Sequence, residues 1–148
     1  MKIAKALKLK NQLAGEVAQL KELLAKQNSR STKQKFDYDN REVLTRLRAK
    51  LDELVKVKAA LAAANAEVYD KIFRLAELKG LVAVLTGLDI KAGVFHEGGR
   101  YGEPAYEVEY VAQLNTVDVD KLTSELKNEI QALQDALDEF NFTHAVKV

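Results

Sequence analysis

Apolar residues recur every seven positions through the middle of this chain. Leu47, Leu54, Leu61, Val68, Leu75 and Val82 mark the repeat, with Leu44, Leu51 and Ile72 at companion positions. Between Gly15 and Gly80 there is neither glycine nor proline, so no strong helix breaker interrupts the pattern. The spacing predicts a helix over residues 40–88, with Asn65 and Gly80 as the two places where it can kink. Such a helix would run about 70 Å at 1.5 Å per residue. A compact chain of this size has a radius of gyration of only about 15 Å. The protein is therefore expected to be elongated, oligomeric, or broken in that helix.

The flanking patterns are simpler. Ile3, Leu7, Leu13, Val17, Leu20 and Leu24 make one apolar stripe and predict a helix over residues 2–28. A polar connection, SRSTKQKFDYD, follows, and Asp39 with Glu42 suits a capping box at the start of the long helix. Six of the seven glycines and the single proline, Pro104, fall between residues 80 and 104. Tyr106, Val108 and Tyr110 then alternate with Glu107 and Glu109, as a half-buried strand does. With Val94 and Phe95 as partner, they predict a β-hairpin within residues 93–113. Leu122, Leu126, Ile130, Leu133 and Leu137 predict a last helix over residues 119–140, capped by Thr116 or Asp118. The expected fold is a single domain, mainly α. Long antiparallel helical hairpins form a coiled-coil-like bundle carrying one small β-hairpin.

Charge sharpens this picture. Residues 1–41 carry a net +6, residues 42–90 a net +1, and residues 91–148 a net −6, so the whole chain is at +1. A balanced total gives no global field for nucleic acid or membrane, but the two ends complement each other. Two antiparallel helices leave apolar surface open, which a second copy can close. Homo-oligomerisation is the expectation, with Leu47, Leu54, Leu61 and Asn65 on the helices and Tyr106, Val108 and Tyr110 on the hairpin as interface residues. The alternative is a monomeric four-helix bundle folded at Asn65. Seam positions Lys58 and Asn65 are polar and would fix register or oligomer state.

Candidate chemistry is sparse. The chain has no cysteine, which removes disulfides and thiolates. His96 and His144 lack helical partners at metal-ligand spacing. The carboxylates are dispersed over caps and solvated faces, and GGRYGEP matches no phosphate-binding loop. No catalytic, cofactor or metal site is predicted. Arg30, Lys33 and Lys35, beside Phe36 and Tyr38, are the residues a nucleic acid could use. Lys2, Lys5, Lys8 and Lys10 give the first helix a basic face that could lie on an anionic membrane. The acidic third of the same chain favours the other reading, in which the stripe packs on the long helix and the lysines face water or the last helix. Neither a signal peptide nor a membrane span is read in the sequence, and a cytoplasmic location is expected.

The stretches KIAKALKLKNQLAGEVAQLKELL and TVDVDKLTSELKNEIQALQDALDEFN resemble the two ends of the septicolysin-like helical proteins of bacteria. The element Thr116–Val119, followed by Gln134 and Asn141, carries the likeness, and ALAAAN at residues 60–65 resembles an Asn-containing turn in that group. The resemblance implies a bacterial coiled-coil protein, and the group's label implies membrane-damaging activity. From the residues themselves, the expected role is a non-enzymatic scaffold or assembly component. A nucleic-acid-binding accessory protein and a membrane-active protein are the alternatives.

Overall fold

A computed structural model describes residues 1–148. Four helices and a two-stranded antiparallel sheet follow in the order α1 (Ile3–Lys26), α2 (Asn40–Asn65), α3 (Tyr69–Thr86), β1 (Gly93–Gly98), β2 (Ala105–Tyr110) and α4 (Thr116–Thr143). The fold is mainly helical with one small β-hairpin, as the sequence predicts. The chain divides into two compact units, one of residues 1–69 with 137–148 and the other of residues 70–136.

In the first unit α1 and α2 lie antiparallel. Val43, Leu47, Leu54, Val57 and Leu61 of α2 are buried, as are Ile3, Ala6, Leu13, Val17 and Leu20 of α1. The seven-residue repeat at Leu47, Leu54 and Leu61 is thus the core seam. Its companions differ from the expected ones: Val43 and Val57 are buried, whereas Leu44 is exposed. The polar member of this second seam is Lys50 rather than Lys58. Lys50 is tolerated there because its ammonium lies 3.0 Å from the Glu16 carboxylate of α1. The pairing raises the Lys50 pKa. Glu16 is held below the ordinary carboxylate range, first by the Gln12 amide and then by Lys50.

The connection between α1 and α2 is stitched to the end of α1. The last carbonyls of a helix have no partner within it. Here the Tyr38 hydroxyl donates to the Leu23 carbonyl at 2.6 Å, and the Asn40 amide donates to the Leu24 carbonyl at 3.0 Å. Gln27, the one buried polar residue, makes a two-point clamp with Asp37. Its amide donates to the Asp37 carboxylate at 2.6 Å, and its carbonyl accepts the Asp37 N–H at 3.0 Å. Asp39 caps α2 as expected, its carboxylate accepting the Arg41 N–H at 2.8 Å.

The other end of α1 is capped from the far end of the chain. No side chain caps α1. Instead Ile3 N–H donates to the His144 carbonyl at 3.1 Å and Val146 N–H donates to the Met1 carbonyl at 2.7 Å, around a bridge between Lys2 and Ala145. Ile3, Phe140 and Val146 are buried there, and Phe140 stacks on the His144 ring at 4.0 Å. The basic start and the end of the chain thus meet within one molecule. Phe142, two residues on from Phe140, stays exposed.

The long central helix is broken. Its α-helical bonding stops at Asn65 and resumes at Tyr69. Between them Ala66 N–H reaches Ala63 and Val68 N–H reaches Asn65, the tighter i to i+3 pattern. The alanines before the break offer little side-chain surface to hold a helix in place, and Asn competes with the backbone for hydrogen bonds. Gly80, the other candidate, sits inside α3 without interrupting it. The last helix is longer than predicted, and neither Thr116 nor Asp118 is its cap. Asn115 is the cap residue: its side chain accepts the Asp118 N–H at 2.9 Å, and Asp118 returns an acceptor to the Asn115 N–H at 3.1 Å. Asp118 is the return partner of that reciprocal box.

Two stability effects follow. Replacing Gln27 by Ala leaves Asp37 N–H without its side-chain acceptor and lowers unfolding free energy by about 1–3 kcal/mol in urea titration. Replacing Gly15 by Ala raises it by up to about 1 kcal/mol, since nothing lies within 4 Å of the added methyl in the interior of α1.

Candidate interaction surface

α3 carries more apolar residues than one face needs. Leu75 and Leu78 are buried, and Val82 and Leu85 are half-buried on the same side. Phe73, Leu81 and Val84 fall on the other side of the helix and remain exposed, Val84 at 62% and Leu81 at 44%, and Leu88 is exposed just past its end. A surface helix normally shows water a polar face; here the outer face is apolar as well. Within the same unit, α3 is tied to α4 by the Arg74 guanidinium on the Glu129 carboxylate at 2.6 Å. An open depression of about 570 Å³ lies between the end of α3 and the start of α4, lined by Leu85, Leu88, Ile90, Val119 and Thr123.

The hairpin joins α3 to α4. Its register pairs Phe95 with Val108, Glu97 with Tyr106 and Gly93 with Tyr110. Phe95, Tyr106, Val108 and Tyr110 therefore share one face. Val94 and His96 share the other with Glu109 and Glu107, placed directly opposite them. Phe95 and Tyr110 meet edge to face at 5.7 Å, and the Lys91 ammonium sits 4.7 Å from the centre of the Tyr110 ring. The Tyr110 hydroxyl donates to the Glu97 carboxylate, which raises the phenol's pKa. Glycines set the turn. Gly98 has a φ of +79°, and a Cβ there would lie 2.9 Å from the Pro104 carbonyl oxygen and the Tyr106 ring. Tyr106 is 56% exposed, while Val108 and Tyr110 are half-buried.

The structure treats the sequence-predicted interface residues in two ways. Leu47, Leu54 and Leu61 are buried in the single chain, and Asn65 is half-buried at the end of α2. Tyr106, Val108 and Tyr110 lie together on one face of the hairpin, joined by Phe95, which the sequence reading had used only as a strand partner. The outer face of α3 was missed. Its signal was present in Phe73, Leu81 and Val84, but the heptad at Leu75 and Val82 overshadowed it.

The basic connection is less free than its composition suggests. Arg30 donates to the Lys35 carbonyl at 2.8 Å and lies 3.8 Å from the Asp37 carboxylate. Lys33 and Lys35 are exposed. No group of three or more His, Cys, Asp or Glu side chains is placed to hold a metal ion. No helix is long and apolar enough to cross a membrane. No protein-family model, curated protein or solved structure matches this chain.

The Tyr110–Glu97 bond makes the hairpin sensitive to alkali. A raised phenol pKa means a stabilisation present below the ordinary tyrosine range and lost as pH rises through the folded value. Ultraviolet titration is expected to find one tyrosine ionising above its normal range, and Glu97→Gln to return it toward that range.

Proposed function

We propose that this protein is a non-enzymatic helical assembly component that works as a homo-oligomer, through the apolar surface of residues 70–136. The observation that carries the reading is the exposed pair Leu81 and Val84 on a helix whose other side, Leu75 and Leu78, is already buried, with Leu88 exposed just past the helix end. Area supports it. The chain exposes 11214 Å². Two separate compact bodies, each of half its mass, would together expose about 9,100 Å². The excess of about 2,000 Å² exceeds the roughly 800 Å² per partner that a standard interface needs. Covering Leu81 and Val84 with a second copy recovers hydrophobic free energy that the single chain forgoes.

Sedimentation equilibrium tests the reading. The expected result is a dimer or larger species at micromolar concentration. Leu81→Glu with Val84→Glu should weaken association at least about tenfold while helical circular dichroism is retained. A wild-type chain that stays monomeric across that range overturns the proposal.

A further inference from the structure

The hairpin has two open edges of unequal chemistry. It is a sheet of two strands with no third on either side, and an isolated two-stranded hairpin is marginal in water. Unpaired edges invite another strand, and proteins guard them with charge and proline. β2 is guarded: Pro104 immediately precedes it, and Glu107 and Glu109 line one of its faces. Two β2 strands side by side would crowd four carboxylates together. β1 has neither lysine nor proline. Its single carboxylate, Glu97, already accepts the Tyr110 hydroxyl, and Val94 is exposed.

Stacking hairpins face to face is disfavoured by the same chemistry. Lys91 lies over the Phe95 and Tyr110 rings, and Glu97 shares their face. Packing a second sheet there would remove both charges from water. Edge pairing leaves them solvated.

We infer that β1 pairs antiparallel with β1 of a second copy across a two-fold axis, making one four-stranded sheet from two hairpins. The inference rests on the self-association proposed above and adds to it a strand contact of its own. The arrangement is isologous and closed. Val94 and His96 of the two copies become neighbours on one face, and Phe95 extends the aromatic face of its partner. Because β2 is guarded, the sheet stops at four strands and does not grow head to tail.

The test is the double variant Val94→Lys with His96→Lys. Within the chain the new lysines face Glu109 and Glu107, so the hairpin itself gains opposite-charge pairs. Between chains they put like charges side by side. Sedimentation should show association weakened at least about tenfold. Cross-linking provides a second readout that does not depend on the variant's folding. The chain has no cysteine, so His96→Cys should give a disulfide-linked dimer on mild oxidation, and Glu107→Cys on β2 should do so far more slowly. Unchanged association of the lysine variant, or equal linking at the two positions, overturns β1 pairing. Either result leaves self-association standing, which only a monomeric wild type removes.

Discussion

The pairing of α1 with α2 is the constraint on which the Met1–Tyr69 region depends. Two helices laid together bury only one stripe each, so every position on that stripe matters. Apolar side chains fill it, mostly leucine and valine, except at Lys50, where Glu16 supplies the compensating charge. The connection then has to return the chain at the right height. It does so by giving the last carbonyls of α1 the donors they lack, from Tyr38 and Asn40, and by clamping Gln27 to Asp37. Packing thus sets the distance between the helices, and hydrogen bonds at the connection set their register.

The second unit is built on the opposite principle. α3 is apolar on two sides, and the hairpin has an aromatic face and open edges. Burial within the chain satisfies one side of α3 and leaves the rest exposed. A helix with that distribution gains little from propensity alone, since most helical stability comes from packing an apolar face. The proposed self-association and the inferred pairing of β1 both draw on this unmet burial, one through the α3 stripe and the other through backbone edges.

Much of the fold is legible in the sequence because period and punctuation agree. The heptad leucines mark helical chain, which forms as α2 and α3, and the glycine cluster and the alternation at Tyr106, Val108 and Tyr110 mark the hairpin, which forms as one. The misreadings share a cause: several choices were locally equal. Leu44 and Val43 are both apolar neighbours of the seam, and the register that buries Val43 also brings Lys50 to Glu16 of α1. Thr116, Asp118 and Asn115 can all cap a helix, and the choice turned on which pair could bond reciprocally. The break after Asn65 falls at the first of the two places the sequence offers, in the run of small side chains, and Gly80 stays helical. The interface residues divide along the same line. The seam leucines read as free surface because a heptad looks the same whether its partner is in the same chain or another.

The capping of α1 by the far end of the chain has a consequence for the order of folding. α1 and α2 are joined by a short connection, so their contacts form early at small cost in loop closure. The bond between Met1 and Val146 spans 145 positions. Until residues 144–146 have been synthesised and have come back, the start of α1 has no acceptor for Ile3 N–H, and Ile3 lacks the segment that caps it. The nascent chain therefore presents a helical hairpin with one unsealed apolar end throughout the making of residues 70–136. Residues 144–146 close that end and finish the first part of the fold.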